Sequence, residues 1–319
     1  MNILLSCPND HQSNCYLVNA LDDLGHKVFF VDHRDHLDQC EQHVPQYLKG
    51  EHIDVMLVLY LVEERTYSKE YIRNLKASFP AVKYVSWIFD STIDGKLCDE
   101  NEKFVELVKE YDYFFTVCRG QVESFRRQGV NAFFGQEGVD SYVLEALGRE
   151  KKHDVSFLGS IGHPTVHSER LPFLQAVIEK FPKTLIGGVL HRYDEELLSH
   201  HLKRPTYNDI EHSKIIADSK INLGFNAWPD IDGYLSARAY RVMGAGGFYM
   251  TKRSQGIEDF YVDGKEIVLY DNIKDCLEKI RYYLKHDDER EAIALTGKEK
   301  TMENYTFEHT LAKMLEEIS

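Results

Sequence analysis

The 319 residues include 43% hydrophobic and 28% charged side chains, the balance of a soluble globular protein, and their number predicts two domains of about 150 residues each. Thirty-eight basic against 52 acidic side chains give a formal net charge of −14, which argues against a generic duplex nucleic-acid or anionic-membrane surface and leaves room for a local basic groove. The six cysteines (Cys7, Cys15, Cys40, Cys98, Cys118 and Cys276) contain no CxxC pair, and no apolar run reaches membrane-spanning length, so the expectation is a cytoplasmic protein without a disulfide framework or membrane span.

In chain order, "MNILLS" reads as a short buried strand that runs into the polar loop "CPNDHQSN". "CYLVNALDDLGHKVFFVD" gives a helix, a stop at Gly25 and a second strand, completing a β-α-β unit. Strands follow at "HIDVMLVLY", "AVKYVSWIFD", "DYFFTVC" and "VNAFFGQEG", with helices at "EYIRNLKASF", "NEKFVELVKEY" and "RGQVESFRRQG" between them. Alternation of this kind predicts a parallel, doubly wound sheet whose ligand crevice lies at the strand C-terminal ends.

The charged stretch "LEALGREKKHD" interrupts the pattern and is read as a linker, so the domains are expected at 1–148 and 149–319, with the last helix returning to the first domain. The alternation restarts with the strand "VSFLGSIG", the helix "ERLPFLQAVIEKF", the strand "TLIGGV", the helix "YNDIEHSKIIADS" and the strand "KINLGFN". The helix "SARAYRVMGAG", the strand "GFYMT", the segment "GIEDFYVDGKEIVLYD" and the helix "IKDCLEKIRYYLKH" complete it. The predicted fold class is α/β, with two Rossmann-like doubly wound domains facing a central cleft, and that cleft is the default binding site.

Four stretches bear on chemistry. In "NAWPDIDGYLSARAYRVMGAGG" a strand passes through a loop with Pro229 and Gly233 into a helix whose expected N-cap is Ser236. Free N–H groups and the positive end of the helix dipole there suit a phosphate, and Arg238 in the first turn adds a bidentate donor. Arg241 lies three residues on, along the same side; the bland alternative for both arginines is a solvated surface. "SFLGSIGHP" sets Gly159, Ser160 and Gly162 after a strand, without the spaced glycines of a dinucleotide fingerprint or the lysine of a P-loop. In the first half, Asp10 and His11 leave the first strand and Asp90 leaves the fourth. They are candidates for a base that deprotonates an acceptor hydroxyl, with an Asx-turn, a helix cap or a plain surface position as the alternatives. "HRDHLDQCEQH" carries His33, His36, Cys40 and His43 at a spacing that matches no standard zinc pattern, so no metal site is expected. HExxH, GxSxG and the deaminase signature are absent.

From "HDVSFLGS" onward, through "YNDIEHSKIIADSKINLGFN", "SARAYRVMGAGGFYMTKRSQGIEDFYVDGKEIVLYD" and the closing "YTF", the sequence resembles the C-terminal domain of glycosyltransferases of the spore-maturation (CgeB-like) type, with its group 1-type transferase domain. That type belongs to the two-Rossmann-domain GT-B class. The first half is similar in architecture, and "WIFDST" is similar to a Trp-x-x-Asp segment found there. The resemblance implies that Gly159 and Ser160 line a donor crevice, and that Gly233, Tyr234, Leu235 and Ser236 offer backbone N–H groups to a donor diphosphate beside Arg238. It further implies that Tyr207 and Asn226 lie near the nucleotide, that Gly246 and Gly247 turn behind it, and that Glu258 stands at the next helix start. One position departs from the pattern. Related retaining transferases carry, in "FExxAxG", a glutamate that bonds the ribose where this chain has Arg241, and a second acid where it has Gly233. Arginine accepts no hydrogen bond, so the contact is lost or inverted.

What the resemblance implies is a glycosyltransferase, hexosyl- or pentosyl-, that takes a nucleotide-sugar, with a UDP-sugar as the default, and requires no metal or other cofactor because the helix dipole and basic side chains stabilise the leaving diphosphate. The acceptor is open among a glycan, a protein, a modified nucleobase and a small metabolite. Two other readings stand beside it: a nucleotide-sugar 2-epimerase-like enzyme acting on the donor alone, and a non-catalytic nucleotide-sugar-binding or assembly protein.

Overall fold

The structure is a computed structural model that describes residues 1–7, 13–33, 37–60, 67–90, 92–93, 96–140, 150–159, 161, 169–187, 202–203, 209–226 and 228–319. It consists of two compact units. Unit 1 comprises Met1–Glu137, Ile231–Gly233 and Phe307–Ser319; unit 2 comprises Gly138–Asp230 and Tyr234–Thr306.

Unit 1 runs β1 (Asn2–Cys7), α1 (Ser13–Asp23), β2 (Lys27–Asp32), α2 (Leu37–Gly50), β3 (Val55–Tyr60), α3 (Lys69–Ser78) and β4 (Lys83–Ile88). A small antiparallel hairpin, β5 (Thr92–Ile93) with β6 (Lys96–Leu97), follows, then α4 (Glu102–Val108), β7 (Tyr113–Thr116), α5 (Val122–Arg127) and β8 (Ala132–Phe134). The six long-sheet strands are parallel in the order β2-β1-β3-β4-β7-β8, so the winding reverses between β1 and β3. Strands covered by helices on both faces are apolar almost throughout, which is why "VMLVLY" and "KYVSWI" lack the alternation of a half-exposed strand. Side-chain caps start two of the helices: Ser68 accepts from the Tyr71 N–H, and Asn101 from the Phe104 N–H.

Unit 2 runs β9 (His153–Leu158), α6 (Arg170–Lys180), β10 (Thr184–Gly187), β11 (Leu202–Lys203), α7 (Asp209–Ala217), β12 (Ser219–Gly224), α8 (Ala237–Gly244), β13 (Tyr249–Lys252), β14 (Val268–Tyr270), α9 (Ile273–Tyr283) and α10 (Asp287–Asn304). Its sheet is parallel in the order β11-β10-β9-β12-β13-β14, with the reversal between β9 and β12. Val155, Phe157, Ile221, Leu223 and Met250 make the buried centre of that sheet.

Each unit is thus an α/β doubly wound body, as the alternation of the sequence predicts. Helix α10 is different, because the sequence reading names no element there. Its buried stripe is Arg290, Ile293, Ala294, Gly297 and Thr301, and so few apolar residues give no helical periodicity to read. The last helix, α11 (Phe307–Ile318), belongs to unit 1, where the Phe307 ring stacks with those of Tyr16 and Phe89, each at 6.4 Å between centroids. Among the described residues no helix is long and apolar enough to cross a membrane.

Candidate functional site

The winding of unit 2 reverses at the C-terminal ends of β9 and β12, where an open parallel sheet binds its ligand. Two arginines from different helices meet there. Arg238, in the first turn of α8, donates from Nε to the carbonyl of Leu158 at the end of β9 and from Nη1 to the carbonyl of Phe225 just past β12 (3.3 Å). Arg170, the first residue of α6, donates from Nη2 to the same Phe225 carbonyl (3.2 Å). Both guanidiniums stand over the Phe157 ring, at 4.8 Å for Arg238 and 5.7 Å for Arg170.

Gly159 makes this convergence possible. Its φ is +152°, and a Cβ at that position would collide with the Arg238 guanidinium. Arg170 is only 6% exposed, and loss of water, followed by repulsion from Arg238, lowers its pKa to about 9. That value leaves it charged at neutral pH. Carbonyl dipoles and a ring quadrupole help hold the two cations in place, worth about 0.5–2 kcal/mol for a cation–π contact.

The start of α8 supplies a second feature. Ser236 has the extended backbone of an N-cap residue, as the sequence predicts, but its side chain makes no capping hydrogen bond. Instead the Ser236 N–H donates to Asn226 Oδ1 (3.2 Å), and Asn226 Nδ2 donates to Ser254 Oγ (2.8 Å). Asn226 therefore braces the loop against the helix from the end of β12. Leu235 is buried in the core, so only its backbone is available to a ligand, whereas Tyr234 is half-buried.

Arg241, one turn on, is half-buried on α8. Burial, then the positive charges of Arg241 and Arg238, push His212 of α7 down to about 4, which makes its imidazole neutral at physiological pH. Gly246 and Gly247 end α8, their N–H groups returning to the carbonyls of Met243 and Val242, each at 2.8 Å. Glu258 lies in the short 3-10 turn Ile257–Asp259, and its carboxylate pairs with Arg253, which also bonds Asp263 and Asp271. Ser160 and Tyr207 lie outside the described residues.

In unit 1, Asp90 stands two residues beyond β4. Its surface is solvent-accessible, but protein surrounds it at longer range, and that displacement of bulk water pushes its carboxyl up to about 6. Asp10 and His11 lie outside the described residues, as does His36. His33 is buried and shares a hydrogen bond with Ser6 Oγ (2.9 Å), which also meets the Tyr67 hydroxyl (2.9 Å). Cys40 donates to the Asp32 carbonyl. Among the described residues no group of three or more His, Cys, Asp or Glu side chains could hold a metal ion.

Sequence reasoning missed Arg170 and His212. Both look like ordinary residues of amphipathic helices, and what distinguishes them is a long-range contact: Arg170 reaches a carbonyl 55 residues away. The one available signal is Arg170 at the start of a helix, where a cation opposes the helix dipole and so requires another reason to be there.

Residues 168–316 match the family described as glycosyl transferase-like. No curated protein matches the chain. Among solved structures, HepE of Anabaena in complex with UDP-glucose is similar at 12% identity, with a TM-score of 0.66 over 100% of this chain and 99% of that one. A glycosyltransferase from Rickettsia africae is similar at 11% identity and a TM-score of 0.67, over 99% of this chain and 97% of that one. The sucrose-phosphate synthase of Thermosynechococcus elongatus is similar at 11% identity and a TM-score of 0.64, over 99% and 98%. At such identities the likeness is one of fold. The chain has a GT-B fold, and its residues 168–316 match a glycosyl transferase-like family.

Proposed function

We propose that the protein is a glycosyltransferase that moves a sugar from a nucleotide-sugar to a hydroxyl acceptor, with the donor held by unit 2 and the acceptor by unit 1. The observation that carries this reading is the convergence of Arg170 and Arg238 at the edge of β9 and β12, beside the uncapped start of α8. A diphosphate is the anion that two converging guanidiniums and a helix N-terminus suit. A UDP-sugar is the first donor to test, because HepE is solved with UDP-glucose.

In an inverting transfer the acceptor oxygen bonds to the sugar C1 as the bond from C1 to the diphosphate oxygen breaks. Asp90 takes the acceptor proton, and the guanidiniums and the helix N-terminus stabilise the charge that develops on the leaving diphosphate. These cations fill the role a divalent metal has in other transferases, so we infer metal-independent transfer. Gly159, Asn226, Gly233, Tyr234 and Ser236 complete the donor side, with Ser160 and Tyr207 assigned there by resemblance, while Asp10 and His11 are acceptor-side candidates by their place after the first strand. The same resemblance assigns the chain to the spore-maturation (CgeB-like) type, and the scattered cysteines without a CxxC pair suit the cytoplasm.

A panel of nucleotide-sugars tests the reading. Thermal stabilisation by at least one donor, followed by acceptor-dependent release of nucleoside diphosphate that persists in EDTA, is the expected result; no stabilisation by any member of the panel sinks it. Arg241 favours one second reading, a protein that binds the donor without transfer, because an arginine there cannot accept from ribose hydroxyls. Donor binding with no release of diphosphate across a broad acceptor set selects that alternative.

A further inference from the structure

The connection from β12 to α8 spans residues 225–236, whereas such connections usually have about two to six residues. Its middle leaves its own unit. Ile231–Gly233 belongs to unit 1, while Asp230 before it and Tyr234 after it belong to unit 2. Three contacts hold this segment to the turn after β7. The Arg119 guanidinium grips the Asp232 carboxylate with both arms, Nε to Oδ2 at 2.7 Å and Nη2 to Oδ1 at 2.8 Å. The Gly120 N–H donates to the Asp232 carbonyl at 2.9 Å.

The approach is close enough to exclude side chains on both strands of the contact. A Cβ on Gly120 would lie 3.1 Å from the Asp232 nitrogen, and one on Gly233, whose φ is +70°, would lie 2.7 Å from Arg119 Cβ. The pair is directional and bidentate, and the hydrogen bonds from Arg119 hold the Asp232 carboxyl below the usual carboxylate range. Nothing in the proposed chemistry uses either residue. Yet Gly233 is followed within three residues by Ser236, whose N–H opens α8.

We propose that Arg119 is a positioning residue: through Asp232 it fixes the loop that leads into α8, so that the anion-binding turn is formed before a donor diphosphate arrives. Free of the pin, this long connection would have to be ordered at the moment of binding, and that entropy would be subtracted from affinity. The inference rests on the donor reading of unit 2 for its functional consequence, but the ordering of the loop is measurable without any ligand.

The experiment compares the wild type with Arg119→Ala, Asp232→Asn and Arg119→Lys. Without nucleotide, amide hydrogen exchange over residues 231–238 is expected to quicken by about fivefold or more in the first two, the loss of one well-formed bidentate pair, and by less in Arg119→Lys, which keeps the charge but not the fork. UDP titrated into the same proteins is expected to bind about fivefold more weakly to the first two, with kcat at saturating donor unchanged. Unchanged exchange in those two variants overturns the proposal whatever UDP does, and so does faster exchange with UDP affinity within about twofold of the wild type. If the wild type itself binds no nucleoside diphosphate, the donor reading fails, and the exchange arm decides alone whether Arg119 holds the loop. Asp232→Asn is nearly isosteric, so a folding failure of Arg119→Ala does not remove the test.

Discussion

The two parallel sheets share an architecture but differ in what they carry at the edge where ligands bind. In unit 1 the ends of β1 and β2 carry a buried hydrogen-bonded network, Ser6 between His33 and Tyr67, with Ser6 and Tyr67 both at 0% exposure. Farther along the same edge, past β4, stands the Asp90 carboxyl. In unit 2 the reversal between β9 and β12 carries two guanidiniums on carbonyls and a ring. Topology alone therefore does not assign a ligand. In the proposed reading side-chain charge does: one edge receives a leaving diphosphate, and the other offers a proton acceptor beside a buried polar network.

The largest expected effect that would break this comparison is at Asp90. Replacing it with Asn is expected to lower kcat by about 10²- to 10⁴-fold while UDP affinity is kept, since a general base contributes on that scale. In the wild type the carboxylate is the base form and exists above its raised pKa of about 6, so kcat/KM should fall as pH drops through that value. A flat profile between pH 5 and 7 would remove Asp90 from the chemistry.

Next in size is Arg238→Ala, expected to weaken UDP binding by about 2–3 kcal/mol, on the order of 30- to 150-fold, by isothermal calorimetry. Unaltered affinity would mean that the basic edge does not hold the diphosphate. Gly159→Ala should follow, losing about tenfold in UDP affinity because its methyl group displaces the Arg238 guanidinium that Gly159 makes room for. Should Gly159→Ala bind UDP normally, Arg238 can act from another position and the observed convergence is not the binding geometry.

Smallest of all, and sharpening the contrast from the other side, Tyr67→Phe is expected to cost about 1 kcal/mol of stability in urea unfolding by removing the hydroxyl that meets Ser6. UDP affinity should be unaltered. A loss of UDP affinity in Tyr67→Phe would show that the two edges are not chemically separate.

Much of this was legible in the sequence. Strand and helix alternation exposes a doubly wound fold because both-face burial produces unbroken apolar runs such as "VMLVLY", and the strand, loop and helix around Arg238 were legible as elements from local sequence alone. What was not legible depends on distant contacts. Arg170 acquires its role from Phe225, and His33, read beside His36, Cys40 and His43, acquires its role from Ser6 and Tyr67. The loop with Pro229 and Gly233 is legible as a loop, and only the packing of Gly120 and Gly233 reveals that it is clasped by Arg119. Asn226 is the intermediate case: resemblance set it near the nucleotide, while its contacts make it a brace for the Ser236 N–H.

The membership of α11 in unit 1 has a consequence for biosynthesis. The ribosome delivers β1–β8 early, but the Phe307 ring that covers Tyr16 and Phe89 emerges only after every strand of unit 2. During that interval Tyr16 on α1 and Phe89 beyond β4 lack the ring they stack with, and transiently exposed apolar surface of this kind is what chaperones shield. Vectorial folding here proceeds in a loop, with the first body made also the last to be sealed.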